Sequence, residues 1–223
     1  MGTATSLAAR FDPAVSPFGA LAGTPTDDHW DELAALTGPG GTLALVRPID
    51  DDLRPGPGWS LTWEADGVQM IGDRITDGLR SWTSSPPPVE RRPDPLGRQD
   101  VDDMLALVAE TQPGPFLART IEFGGYLGIR REGRLVAMAG ERMRPPGHAE
   151  VSAVATDPSF RRQGLGEGLV WSVIAGIADR GEVPFLHAAG TNVNAIRLYG
   201  KMGFTVRRRM VFMVVEAPRG AHG

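Results

Sequence analysis

Cysteine is absent from the 223 residues, which excludes disulfides, a thiolate zinc site and a cysteine nucleophile together. Lysine is nearly absent: Lys201 stands alone, and every other basic side chain is arginine or histidine. That bias reads as a trace of a GC-rich genome rather than of function. No apolar run approaches the ~20 residues that a membrane helix needs. The first residues also lack the basic-then-apolar pattern of a signal peptide. A cytoplasmic protein without a membrane partner is the expectation. Neither sign of charge dominates, the net value being -4. Residues 1–100 carry 8 Arg against 15 Asp and Glu, and residues 101–223 carry 15 basic against 12 acidic side chains. A net-acidic chain with scattered arginines offers no basic stripe, so no nucleic-acid partner is expected. What is present is ordinary for a globular chain: 41% apolar and 22% charged residues, enough to bury a core.

Prolines punctuate the chain. Ser84 to Pro95 holds five prolines within ten residues and reads as an extended connector. It divides residues 1–95, a smaller N-terminal α+β lobe, from residues 96–223. In the first part a helix is expected over 28–36 and strands over 42–47 and 59–63, the latter turning at Asp66-Gly67 toward Val68 to Ile71. In the second, Asp100 caps a helix from Val101 to about Glu110. A hairpin joins 126–131 to 134–143 across Glu132-Gly133, and Pro145-Pro146-Gly147 leads into a strand over 149–156. A helix over 165–180 follows, with Leu165, Leu169, Val173 and Ile177 on one face. Then come a strand over 183–189, a helix over 192–202 capped by Thr191 or Asn192, and strands over 204–208 and 210–216.

The segment Arg161-Arg162-Gln163-Gly164-Leu165-Gly166 lies between strand and helix. Glycines there let backbone approach an anion, and the helix start supplies N–H groups and a positive dipole end. Two arginines add charge where a pyrophosphate would sit. A Walker-type nucleotide loop is excluded, because no lysine with serine or threonine follows the glycines.

That Arg-x-x-Gly-x-Gly segment, the element order and a second signature, Asn192-x-x-Ala195-x-x-Leu198-Tyr199-x-x-x-Gly203-Phe204, resemble the GNAT superfamily of acyl-CoA-dependent N-acetyltransferases. The likeness covers roughly residues 100 to 216. It implies a GNAT fold, an α/β (α+β) architecture with a central mixed twisted sheet flanked by helices. The N-terminal part resembles the partial lobe that precedes the acetyltransferase lobe in glycine N-acyltransferase-like relatives. The resemblance further implies acetyl-CoA as cosubstrate, no metal, and a small-molecule or peptide amine as acceptor. Oligomeric state is left open, a homodimer included. Backbone of Val154, Ala155 and Thr156 would pair with the pantetheine arm, and main-chain N–H groups of Arg161, Arg162, Gln163, Gly164, Leu165, Gly166 and Glu167 would wrap the pyrophosphate. Asn192 would touch the pantetheine or hold the splayed strands.

Two residues carry the expected catalysis. Glu150 stands eleven residues ahead of Arg161, the spacing of the general base in histone-acetylating members. Burial beside Val151 and Val154 should raise its pKa toward working pH. Tyr199, one of two tyrosines, would protonate the departing thiolate; its bland alternative is a core tyrosine. Direct attack by the amine in a ternary complex is favoured over an acyl-enzyme, Ser152 being the alternative nucleophile. The rival class is a catalytically silent acyl-CoA-binding sensor, which needs neither Glu150 nor Tyr199. His29, His148, His187 and His222 lack metal-ligand spacing, and His187 in an apolar strand reads as a satisfied core histidine. Asp50-Asp51-Asp52 reads as a solvated loop, Trp59, Trp63 and Trp82 as packing residues, and Arg207-Arg208-Arg209 as an edge-protecting run between strands.

Overall fold

Apolar residues alternate through Thr42 to Pro48 and cluster in Ala149 to Thr156; the first is a half-buried strand, the second is buried through Ala149 to Val151 and alternates between buried and half-buried beyond. The computed structural model describes residues 1–51, 53–85, 88 and 92–220. By contact they form two units. One comprises Met1–Val68, Ala189–Thr191 and the residues from Arg208 onward; the other comprises Gln69–Ala188 and Asn192–Arg207. This division does not follow the proline run: residues 69–95 belong with the second unit, and the chain returns to the first at Arg208.

In the first unit, β1 (Gly2–Ala4), β2 (Ala8–Phe11) and β3 (Gly19–Leu21) make a small antiparallel sheet ahead of α1 (Asp27–Thr37). Strands of three or four residues are too short to show a period, which is why the sequence reading passes over them. The N–H of Thr26 is taken by Nδ1 of His29 at 3.2 Å, so that histidine serves the start of α1. β4 (Thr42–Pro48) pairs antiparallel with the end of the last strand, Met210 opposite Pro48 through Glu216 opposite Thr42. Leu33, Leu43, Leu45, Trp30, Trp59 and Val215 fill this core. Trp59 donates its indole N–H to the carbonyl of Trp30, the rings 5.2 Å apart. Trp63 does not join them; it is 54% exposed.

β5 (Ser60–Ile71) runs unbroken where a turn at Asp66-Gly67 was expected. The Asp66 carbonyl accepts the Gly190 N–H at 2.9 Å, so the pair is held as strand backbone.

The second unit begins with α2 (Thr76–Ser84), a helix with no counterpart in the sequence reading. Thr83 and Ser84 hydroxyls donate back to the Leu79 and Arg80 carbonyls and close its last turn. Trp82 from α2 lies against Gly168, whose missing side chain leaves it room. At the other end of the expected connector, β6 (Asp94–Pro95) pairs with the next strand, a proline tolerated because this is the edge. Residues 86, 87 and 89–91 of that connector lie outside the described residues.

α3 (Val101–Thr111), β7 (Leu127–Arg131), β8 (Arg134–Glu141), β9 (His148–Thr156), α4 (Leu165–Asp179), β10 (Val183–Ala189) and α5 (Val193–Lys201) follow in the expected order. Asp100 does not cap α3 with its side chain: the carboxylate accepts the Gly97 N–H and meets Arg130 instead. The sheet order here is β6-β7-β8-β9-β10, antiparallel except for parallel β9 and β10, so the sheet is mixed. α3 and α4 flank β8 and β9. Leu165, Leu169, Val173, Ile174 and Ile177 of α4 are buried, each contributing about 1.5–3 kcal/mol by removal from water. β11 (Thr205–Glu216) is one strand, with Arg207 to Arg209 inside it rather than between two strands.

Candidate active site

Two irregularities open the sheet at β9. Its register with β8 shifts between Met138 opposite Ala155 and Gly140 opposite Ser152, and Ala153 sits at φ 52. A left-handed alanine costs about 1–3 kcal/mol and persists only where surrounding structure demands it. This bulge frees one β9 backbone group from the ladder. On the other edge, the parallel register with β10 runs from Val183–His148 to Phe185–Glu150 and stops there. Val151 to Thr156 are thus left without register partners on β10 among the described residues, an unpaired edge that an extended amide chain can join. Val154, Ala155 and Thr156 lie on it.

β9 leads into a tight turn. The Asp157 carboxylate accepts the Ser159 N–H at 2.7 Å and pairs with Arg134. Burial pushes its pKa up, but the Ser159 N–H and Arg134 outweigh that and hold it below the usual value. Arg162 at φ 61 and Gly164 at φ 76 then curl the backbone, and Gly164 caps the 15-residue α4. Among the described residues, no protein hydrogen bond takes the N–H groups of Arg162 to Glu167. These donors stand at the start of α4, the positive end of its dipole, an arrangement that suits a phosphate. Gly166 belongs to the fit: a Cβ there would stand 3.3 Å from the Thr156 hydroxyl. Arg161 turns its Nε back to the Thr156 carbonyl at 3.3 Å, while the neighbouring Arg162 is exposed. A diphosphate with an amide-bearing arm matches this turn and edge.

Across the sheet runs a chain of five polar side chains. Glu150 is fully buried on β9. Arg142, just past β8, donates Nη2 to its Oε1 at 2.6 Å and Nε to its Oε2 at 2.9 Å. His187 on β10 stands with Nδ1 2.8 Å from Oε1 and Nε2 3.0 Å from the Gln69 amide nitrogen. Arg207 on β11 donates to the Gln69 Oε1 at 2.6 Å. Arginine has only donors, so this last bond orients the amide with its NH2 toward His187. His187 Nε2 is then the acceptor, and Nδ1 carries its hydrogen to Glu150.

The raised pKa expected of Glu150 is overturned. Burial does push the carboxyl up, but the charge and paired hydrogen bonds of Arg142, then His187, hold it at about 2. A carboxylate so acidic, with both oxygens occupied, is not fitted to take a proton from an ammonium group. Arg142 escaped the sequence reading, although a signal existed: it and Glu150 lie four residues either side of Pro146, the centre of the hairpin turn. Gln69 and Arg207 had none, since they come from strands far apart in sequence. His187 is a satisfied histidine, as expected, but its partners are charged and polar.

Tyr199 on α5 is buried, its ring meeting Phe204 edge-on at 6.0 Å. Burial alone pushes its hydroxyl to about 12, so it keeps its proton at neutral pH. Asn192 uses its side-chain oxygen to cap α5, accepting the Ala195 N–H at 3.2 Å. Among the described residues the hydroxyl of Tyr126 is buried without a hydrogen-bond partner, and burial raises its pKa strongly. Ser152 sits on β9 opposite Gly140. His148 bonds the Pro146 carbonyl, and His222 lies outside the described residues. Among the described residues no three histidine or acidic side chains gather as a metal site. A cleft of about 610 Å³ in the first unit is lined by Thr26, Trp30, Arg47 and Pro55. There Arg47 pairs with Asp51 at 3.0 Å, and the lining offers no imidazole. No helix among the described residues is long and apolar enough to cross a membrane.

The family model described as FR47-like protein matches residues 126–213, from the start of β7 into β11. The mycothiol acetyltransferase of Acidimicrobium ferrooxidans is 29% identical over 128 residues, covering 55% of this chain and 38% of that one. The Mycobacterium leprae protein ML0378 is 26% identical over 215 residues, covering 88% of this chain and 58% of that one. The chain thus spans about three-fifths or less of these curated relatives. A crystal structure of a protein assigned to the GNAT family of acetyltransferases, from Novosphingobium aromaticivorans, superposes with a TM-score of 0.80. It is 39% identical, with 96% of this chain and 90% of that one covered. With the unpaired β9 edge and the left-handed turn at α4 in place, that likeness over nearly the whole length means that the chain belongs to the GNAT family.

Proposed function

We propose that the protein transfers an acetyl group from acetyl-CoA to the primary amine of a small molecule or peptide, in the cytoplasm, by direct attack within a ternary complex. The observation that carries this reading is the turn from Arg162 to Glu167, where unbonded N–H groups meet the start of α4 next to the unpaired edge of β9. Acetyl-CoA supplies an activated thioester carbonyl. Main chain of Val154, Ala155 and Thr156 holds the pantetheine arm, and the N–H groups of Arg162 to Glu167 hold the diphosphate; the Arg161 N–H, expected to join them, is taken by the Pro158 carbonyl at 3.4 Å. An N–H freed by the bulge at Ala153 supports the negative charge that develops on the carbonyl oxygen. Tyr199, protonated and buried, gives its proton to the leaving sulfur. Asn192 keeps α5, and with it Tyr199, in place. Glu150 acts as a positioning residue for Arg142 and His187. The residues before Tyr126 lie outside the matched family model, so a kinship of the N-terminal part with glycine N-acyltransferase-like lobes rests on sequence alone.

Isothermal titration with acetyl-CoA and thiol release across an amine panel test the reading. Binding together with amine-dependent CoA release is the expected result. Binding without release against any amine would support a silent sensor; no binding at all would end both.

A further inference from the structure

The acceptor itself is constrained by the charges around β9. An amine attacks a thioester only with its lone pair free, so an ammonium substrate must first meet a base. Glu150 is tied through both oxygens to Arg142 and through Oε1 to His187. His187 has its bare nitrogen filled by the Gln69 amide, itself held by Arg207. The other two carboxylates buried among the described residues are matched likewise, Glu141 by Arg144 and Arg180, Asp157 by Arg134. Tyr126, whose ring lies against Gly140 on β8, is kept protonated by burial. A cation brought beside Glu150 would find a neutral ion pair with Arg142 in it, not a spare negative charge.

The geometry points to an acceptor whose amine is weakly basic, an α-amino group or one of similar basicity, which arrives already neutral rather than being deprotonated by the protein. This rests on the acetyltransferase reading above. The nitrogen lone pair forms the C–N bond to the acetyl carbon as the C–S bond breaks. Sulfur leaves with the Tyr199 proton, and the proton shed by nitrogen returns to Tyr199 through solvent. At pH 7.4 an α-amino group of pKa ~7.7–8.0 is roughly 20–30% neutral, a lysine-type amine of pKa ~10.4 about 0.1%, a ratio on the order of 200- to 300-fold.

The test measures kcat/KM between pH 6 and 10 for acetyl transfer to amines spanning those basicities. Each profile is expected to rise tenfold per pH unit and to level at the pKa of that amine, with α-amines ahead by about a hundredfold or more at neutral pH. A single break shared by all acceptors, or a lysine-type amine matching an α-amine, overturns the inference and leaves the acetyltransferase reading standing. No transfer to any amine takes down both. A readout independent of turnover is the infrared carboxylate band lost in Glu150→Gln. At pH 5 it should be that of an ionised group, and a protonated C=O band would likewise overturn the proposal.

Discussion

Replacing Arg142 with methionine should reverse the way acid acts on this protein. In the wild type the Glu150 carboxyl is held at about 2 against an ordinary 4.5. A folded-state pKa below the unfolded one contributes stability that is present above about pH 4.5 and lost as pH falls toward 2. The gap corresponds to about 3 kcal/mol, from ~1.4 kcal/mol per unit. Glu150 is fully buried, so solvent screening removes little of it. In Arg142→Met the guanidinium and both its bonds disappear, and only His187 and the Met143 N–H, 3.5 Å from Oε2, still face the carboxylate. Burial, the largest influence on this group, then pushes its pKa above the ordinary value. The variant should lose about 3–5 kcal/mol at pH 7, the cost of an unpaired buried charge. It should regain part of that as pH falls toward 5 and the carboxyl protonates. Urea unfolding at pH 5, 6 and 7 reads both quantities, and adding Glu150→Leu should recover part of the loss. A loss under about 1 kcal/mol at pH 7, or a variant that weakens with acid as the wild type does, would refute the buried pair as the cause.

Three further outcomes follow from the geometry. Gly164→Ala forces a side chain onto φ 76 at the start of α4 and should cost about 1–2 kcal/mol of stability, with acetyl-CoA affinity down about tenfold by calorimetry; unchanged affinity would place the diphosphate elsewhere. Tyr199→Phe should lower kcat by about 100-fold or more while the Kd for acetyl-CoA barely moves, and the wild-type rate should show no tyrosine break below pH 11, given a hydroxyl at about 12. Tyr126→Phe removes a buried hydroxyl that lacks a partner and should leave stability unchanged or raise it by about 1 kcal/mol, whereas a fall in Tm would mean that the hydroxyl is bonded in solution.

The site was legible in the sequence where its chemistry is local. Arg161 to Gly166 revealed the turn that opens α4, and the chemistry proposed for it, because glycines, a helix start and an apolar strand are all consecutive. The α4 helix showed its period and α5 its cap. Short elements escaped: β1 to β3 are too brief to repeat, and α2 is only nine residues long with Gly78 inside it. Asp66-Gly67 and Arg207 to Arg209 looked like breaks, yet both lie in long strands. A turn dipeptide bends only where no neighbouring backbone claims its hydrogen bonds, and here Gly190 claims Asp66.

Sequence by itself determined the family signature, the order of elements from α3 to α5, and the glycine turn that opens α4, since φ/ψ preference and helix capping act over a few residues. Only the tertiary structure decided what Glu150 is. Its neighbours Val151 and Val154 argued for a neutral, raised carboxyl, and burial alone would have made it so. The sign of its shift came instead from Arg142 and His187, set beside it by the register of β8, β9 and β10. A buried charge responds to whichever opposite charge stands within a few ångströms, and strand pairing, not chain order, chooses that partner.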